Sequence, residues 1–229
     1  MLRSSSLRGL RLQPLRRQCS AFEKALAREA FTLIEMLTVM LIIAILAGIV
    51  LNVNGLVQTK AARARAEGEM KSLSLSCENY KADNGTVPRN EDTDLIDART
   101  NTNPTSTEYQ KASRYLYIAL SGDTNANGKL DPEEGKSYAS DFFKPNVLNA
   151  NKDGSGVITA INFIKDPWDN SYGYSTKGAA AEEKFVEELR KNSKATRSAT
   201  PEGYNPTFDL WSTAGSTSGA NQAKWVKNW

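Results

Sequence analysis

The segment that decides the fold is FTLIEMLTVMLIIAILAGIVL, residues 31–51, in which Glu35 is the one charged side chain. At 1.5 Å per residue, a helix of this length extends about 30 Å, which matches the thickness of a bilayer core. A carboxylate inside such a segment is costly unless it has a partner. The sequence therefore predicts a transmembrane helix in which Glu35 has a function.

The charged residues are unevenly distributed along the chain. Residues 1–30 contain seven basic and two acidic side chains, which leaves 22 basic and 24 acidic side chains for the rest, out of 29 and 26 in total. Basic residues before an apolar segment hold the N-terminus in the cytoplasm. Because the remainder is close to neutral, no nucleic-acid partner is expected.

The residues and motifs that most often support catalysis are missing from the sequence. It has no histidine, no Gly-rich phosphate loop, no G-x-S-x-G elbow and no H-E-x-x-H zinc motif. The two cysteines are Cys19 and Cys77, so removal of a leader would leave one thiol and exclude an intramolecular disulfide. We therefore expect that the protein is not an enzyme.

The junction between the basic leader and the apolar segment reads AFTLIE, residues 30–35. It resembles the N-terminal signal of type IV pilins and type II secretion pseudopilins. In that family a prepilin peptidase cuts before the Phe and methylates the new amine. The resemblance implies cleavage between Ala30 and Phe31 and methylation of Phe31. The family usually has Gly where Ala30 stands, so we expect slower processing.

Glu35 occupies the family's acidic fifth position. The resemblance implies that the apolar segment stays attached after cleavage and becomes both the membrane anchor and the core of a filament. A carboxylate among apolar helices needs a cation, and the free amine of Phe31 on a neighbouring subunit is one. The pair would form a charge-assisted hydrogen bond. We therefore expect Glu35 to support assembly.

The pattern beyond the apolar segment predicts an α+β fold, with a long N-terminal spine helix packed on a small antiparallel C-terminal sheet with loop insertions. The first half of this helix would be transmembrane. The residues expected on its buried face are Ala66, Met70, Leu73, Cys77 and Tyr80. Asn84-Gly85 and Pro88 should end it.

The rest of the chain is expected to be rich in loops. We predict a surface loop over residues 89–115 and short strands near residues 157–164, 171–175 and 208–212. A surface helix is expected over residues 180–195, with Phe185, Val186 and Leu189 facing inward.

Three further motifs resemble the major pseudopilin of type II secretion. They are DNGTVP at 83–88, DPWDNSYGY at 166–174 and FDLWSTAG at 208–215. Type IV pilins usually close their C-terminal region with a disulfide, which a single mature cysteine excludes. The resemblance divides the chain into a leader (1–30), a transmembrane and filament-core helix (31–55) and a periplasmic domain (56–229).

The sequence leaves three functions open. The first is a structural subunit of a type II secretion pseudopilus, which polymerises through its N-terminal helix to drive protein export across the outer membrane. It would cross the inner membrane once, with further copies, minor pseudopilins, the prepilin peptidase and the inner-membrane secretion platform as partners. The second is a type IV pilus subunit for adhesion, motility or DNA uptake. The third is a membrane-anchored calcium-binding module that forms no polymer.

The stretch DTNANGKLDPEE, residues 123–134, fits the twelve-residue EF-hand loop, with Gly128 at the turn. The expected calcium ligands are Asp123, Asn125, Asn127, the backbone carbonyl of Lys129, Asp131 and Glu134. The alternative is a solvated turn.

A second loop, residues 151–162, ends in Asn162 instead of Glu, and we expect a plain turn there. The pseudopilin family places calcium on C-terminal acids, but residues 212–229 contain none.

Overall fold

The computed structural model describes residues 31–218 and 220–229, without the side chains of residues 49–54 and 56. The predicted leader, including Ala30, lies outside the described residues. The contacts divide the chain between Asn54 and Gly55 into two compact units. The two units are described separately below.

The first helix, α1, runs from Leu33 to Asn84 and covers the predicted spine except for Phe31 and Thr32. Its C-terminal end is the predicted one. Gly85 has a φ of 77°, and its N–H donates to the carbonyl oxygen of Lys81 at 2.8 Å. Glycine adopts this left-handed conformation without a steric penalty, which explains why the helix ends here.

The N-terminal unit exposes its apolar side chains. Phe31 is 71% exposed and Leu33 is 82% exposed, and the large apolar side chains that follow up to Leu46 are exposed as well. Over the described residues, no helix has the combined length and apolar character needed to cross a membrane. The transmembrane segment predicted at residues 31–51 is therefore not confirmed.

The C-terminal unit contains the second half of α1 and the remaining elements. The helices are α2 (Glu91–Leu95), α3 (Thr107–Ser121) and α4 (Lys177–Lys191), with short 3-10 helices at Pro145–Val147 and Gln222–Lys224. The strands are β1 (Leu148–Lys152), β2 (Ile158–Ile164), β3 (Gly173–Ser175), β4 (Asp209–Ser212) and β5 (Val226–Lys227).

The strands form two small antiparallel sheets. β1 and β2 make a hairpin in which Leu148 lies opposite Ile164. The other sheet has the order β3-β4-β5, with Gly173 opposite Trp211. The predicted α+β class, with a long helix followed by small antiparallel sheets, is confirmed.

Two hydrophobic clusters form the core of the C-terminal unit. The larger one packs the predicted face of α1 against α3 and both sheets, and it buries Cys77 completely. Burial raises the pKa of the Cys77 thiol far above its usual value, so this thiol is held neutral. The second cluster contains Ile96, Ala98, Tyr109, Ala112, Trp211 and Trp225.

Two local predictions are wrong. The region 89–115, predicted as a loop, contains α2 and the start of α3. The Ser106 side chain caps α3 by accepting from the N–H of Tyr109, and Tyr109 packs edge-to-face on Trp211 with ring centroids 5.5 Å apart. In α4, Val186 and Leu189 do not face inward but remain exposed, whereas Phe185 is half-buried under the guanidinium of Arg197. The buried side chain of α4 is that of Ala180.

Candidate functional site

The start of α1 is held by a reciprocal pair of hydrogen bonds between Thr32 and Glu35. The backbone N–H of Glu35 donates to Thr32 Oγ1 at 3.3 Å, and the backbone N–H of Thr32 donates to Glu35 Oε2 at 2.8 Å. The Thr32 hydroxyl also donates to Glu35 Oε2 at 2.7 Å. This is a capping box, which satisfies backbone donors that have no partner inside the helix.

Glu35 therefore has a local role that the sequence interpretation did not include. It forms no ion pair with any residue in the described part of the chain, and its side chain is exposed. The capping box places the carboxylate at the N-terminal end of α1, next to Phe31. The predicted contact with the amine of a neighbouring copy, and the cleavage between Ala30 and Phe31, stay predictions.

The 123–134 loop is organised around the buried carboxylate of Asp123, which is 1% exposed. Its Oδ2 accepts from the Tyr117 hydroxyl at 2.5 Å and from the N–H of Gly128 at 2.7 Å. Its Oδ1 accepts from the N–H of Asn127 at 3.1 Å. These bonds curl the loop back on its first residue, and Gly128 permits the turn with a φ of 83°.

The end of the loop returns to its beginning through Glu134. One carboxylate oxygen accepts from the Thr124 hydroxyl at 3.0 Å, and the other accepts from the N–H of Asp131 at 2.9 Å. These hydrogen bonds lower the pKa of the Glu134 carboxyl. The first and last acidic residues of the predicted ligand set are thus both drawn into one closed loop.

The central predicted ligands also use their side-chain oxygens within the loop. The Asn125 amide oxygen accepts from the N–H of Asn127 at 2.9 Å, and that of Asn127 accepts from the N–H of Lys129 at 2.8 Å. No group of three or more His, Cys, Asp or Glu side chains close enough to hold a metal occurs among the described residues. The structure therefore does not gather Asp123, Asp131 and Glu134, the three carboxylates of the predicted ligand set, into one metal-binding group. The carboxylate, amide and carbonyl oxygens of that set are the ligand types that calcium prefers.

The second loop, residues 151–162, packs against the first. The N–H of Ile161 donates to the carbonyl oxygen of Ala126 at 2.7 Å, and a Cβ on Gly128 would lie 3.1 Å from the Ile158 side chain. This segment comprises the end of β1, the turn of the β1–β2 hairpin and most of β2. Its Asp153 carboxylate accepts from the N–H groups of Ser155 and Val157 at 2.8 and 2.9 Å. Its packing supports the shape of the first loop.

The DPW and FDLW motifs, distant in sequence, meet in the fold. The buried carboxylate of Asp166 accepts from the N–H groups of Trp168 and Asn170 at 2.9 Å each and from the Ser212 hydroxyl at 2.5 Å. Burial raises the pKa of the Asp166 carboxyl. Asp166 therefore joins the entry to β3 with the end of β4.

Asp209 has a comparable structural role that the sequence did not reveal. Its two carboxylate oxygens accept from the N–H groups of Tyr204 and Asn205 at 2.8 Å each. Burial raises the pKa of this carboxyl as well. The signal available in the sequence was an acid inside an apolar strand, Phe208-Asp209-Leu210, since such an acid needs fixed donors.

Comparison with protein families gives one match. The model of the prokaryotic N-terminal methylation motif matches residues 27–51. Comparison with curated proteins and comparison with solved structures each gave no significant match. The matched segment contains the AFTLIE junction and supports a type IV pilin-like protein.

The matched motif also carries the general properties of this class. It implies processing by a prepilin peptidase and polymerisation, and it suggests a membrane-anchored N-terminus and a structural, non-enzymatic subunit. The match does not distinguish a secretion pseudopilus from a pilus.

Proposed function

We propose that this chain is a structural subunit of a type II secretion pseudopilus. In this role it is anchored in the inner membrane by its N-terminal segment, its C-terminal unit is periplasmic, and it polymerises to drive protein export across the outer membrane. The observation that carries the proposal is the methylation motif at residues 27–51, read together with the DPW and FDLW motifs that resemble the major pseudopilin.

Two features support the pseudopilus over the type IV pilus. Cys77 is completely buried on α1 and is the one cysteine that follows the predicted cleavage site, so the mature domain would have no disulfide of the kind that usually closes a pilin. Asp166 and Ser212, from the two pseudopilin-like motifs, are hydrogen-bonded to each other. The type IV pilus subunit remains the second candidate, because both classes share the N-terminal motif.

Deletion of the gene tests the proposal. For a pseudopilin, exported proteins accumulate in the periplasm of the deletion strain, and surface motility and DNA uptake stay normal. The prepilin peptidase, minor pseudopilins and the inner-membrane secretion platform are the expected partners. Normal secretion together with lost motility would instead support the pilus subunit.

We also propose that the 123–134 loop binds calcium. The support is the closed loop formed by Asp123 and Glu134, together with the amide oxygens of Asn125 and Asn127, the carbonyl oxygen of Lys129 and the carboxylate of Asp131. Calcium accepts six to eight oxygen ligands in flexible geometry, which suits this donor set. In such a site the ion would replace the hydrogen bonds that these groups now make within the loop, and it would stabilise an inserted loop outside the family's usual C-terminal site.

A further inference from the structure

A groove of about 710 Å³ runs between α1 and the C-terminal segment of the same unit. One side is formed by the α1 residues from Arg63 to Ser74 that face it, and the other by residues 225–229. Arg63 donates to the carbonyl oxygen of Lys224 at 2.8 Å, so the two sides are directly connected. We name this feature the C-terminal groove.

The inner surface of the C-terminal groove is apolar and aromatic. Met70, Trp225 and Val226 line it and are each at most 4% exposed. Trp229 also lines it and stacks on Tyr204, with ring centroids 4.4 Å apart. Met70, Trp225 and Val226 are the buried floor, so the partly exposed ring of Trp229 is the accessible aromatic surface, and a ring held in this way is a typical anchor for a side chain from a partner protein.

The rim of the groove is positively charged. Arg63 and Glu67 pair at 3.1 Å and neutralise each other. Lys71 and Lys227 are exposed, and neither forms an ion pair with any acid in the described residues. Lys227 Nζ lies 5.1 Å from the centre of the Trp229 ring. The rim thus carries two cations without acidic partners.

Two indole N–H groups beside the groove have no hydrogen-bond partner. The indole N–H groups of Trp225 and Trp229 are buried and have no acceptor within the described residues. A carboxylate accepts hydrogen bonds and donates none. These two N–H groups are closed off from the groove, so it is the charge of the rim that favours an acidic ligand.

The same chain presents such a segment at its surface. In the sequence LDPE, residues 130–133, Leu130 is 50% exposed, and Asp131 and Glu133 are exposed without a basic partner among the described residues. Glu133 is not one of the proposed calcium ligands, so it stays available when the loop holds calcium. An apolar side chain followed by acids complements an aromatic groove edged by lysines.

We propose that the C-terminal groove of one copy binds the 130–133 segment of a neighbouring copy. This inference rests on the proposed polymerisation. The two surfaces differ and lie on the same unit, so the contact is heterologous and repeats from copy to copy, as an open filament requires. In the contact, Leu130 packs on the aromatic surface, and Glu133 lies against Lys227 and Lys71.

Disulfide cross-linking of the full chain in membranes tests the contact. Ser74 lines the groove and Pro132 lies in the acidic segment. A chain carrying Ser74→Cys and Pro132→Cys should give a ladder of oligomers on mild oxidation, because a disulfide requires Cα atoms within about 7 Å. The matched control combines Ser74→Cys with Ser193→Cys, at an exposed position away from the segment. Cys77 is buried and can remain.

Charge reversal tests whether the 130–133 segment of the neighbouring copy occupies the C-terminal groove. In the cross-linking background, Lys227→Glu should reduce the ladder several-fold, and adding Glu133→Lys should restore it, because the pair is then inverted. Equal ladders from both cysteine pairs, or no response to Lys227→Glu, would overturn the contact. If Lys227→Glu reduces the ladder and adding Glu133→Lys does not restore it, the 130–133 segment is not what occupies the groove.

Amine-reactive cross-linking of the wild-type chain in membranes separates this inference from the proposed function. If the wild-type chain is cross-linked into oligomers but the 74–132 ladder is missing, the groove contact is wrong and the polymerising role stands. If the wild-type chain forms no polymer, both fail.

Discussion

Calcium should stabilise the C-terminal unit through the 123–134 loop, and Glu134→Gln should remove most of that effect. Asp123 and Glu134 are each held within the loop by hydrogen bonds, and the three carboxylates of the predicted ligand set, Asp123, Asp131 and Glu134, lie within twelve residues of sequence. A divalent cation relieves their mutual repulsion and binds the folded loop only. Gln at position 134 keeps an oxygen for the bond from Asp131 but loses the negative charge and the bidentate contact.

The expected size follows from mass action and from the size of the unit. An affinity typical of extracellular modules gives a Kd of about 0.1 mM, so about 10 mM calcium is a hundredfold excess and stabilises by about 2.7 kcal/mol. The unit from Gly55 to Trp229 falls in the size class where 1 kcal/mol shifts Tm by about 2–4 °C. We therefore expect a calcium-induced rise in Tm of about 5–11 °C.

Thermal unfolding of the Gly55–Trp229 unit, with and without calcium, measures this shift. Glu133→Gln is the matched control, since it removes the neighbouring charge at a position that supplies no ligand, and it should keep the wild-type response. Magnesium should shift Tm less, because it tolerates a flexible oxygen cage poorly. If Glu134→Gln responds to calcium like the wild type, the ion binds elsewhere and the EF-hand interpretation is wrong.

Three further results are expected from single substitutions. Gly173→Ala should cost about 3 kcal/mol in urea unfolding, because the new Cβ would lie 2.2 Å from Trp211 Cε2; Gly154→Ala, in open space, should cost little. Burial raises the pKa of the Asp209 carboxyl, so its contribution to stability is present below the ordinary pKa of 3.8 and is lost as pH rises through the folded-state pKa. Asp209→Asn should therefore flatten the pH dependence of the unfolding free energy in that range. An unchanged pH profile in the variant would contradict this. Glu35→Gln, which can keep the capping box, should impair oligomer cross-linking in membranes as much as Glu35→Leu, and normal assembly of the Gln variant would show that only the cap matters.

The helical spine could be predicted because its signals are local. Met70, Leu73 and Cys77 recur with helical spacing and are buried, and Gly85 ends the helix in the left-handed conformation. Helix α3 was missed because its apolar residues are interleaved with polar ones, and its stability comes from contacts such as Tyr109 on Trp211. Those contacts join residues far apart in sequence, which no local pattern records.

The candidate sites also differ in whether the local sequence predicts them or the completed fold creates them. The 123–134 loop is a contiguous motif, and its turn at Gly128 is visible in the sequence. The bond from Ser212 to Asp166 spans 46 residues, and the C-terminal groove brings Lys71 close to Lys227, so both depend on the completed fold. The exposure of Val186 and Leu189 has a related cause, since an amphipathic pattern shows which face is apolar but not whether another element covers it.

The most direct test of the pilin-like account is the intact mass of the protein extracted from membranes. The account predicts a mature chain that has lost residues 1–30 and begins with Phe31 carrying one added methyl group on its amine. Ala30→Gly should be processed at least as fast, and a bulky residue at position 30 should block cleavage. A mature protein that retains its leader in the wild type would contradict the account.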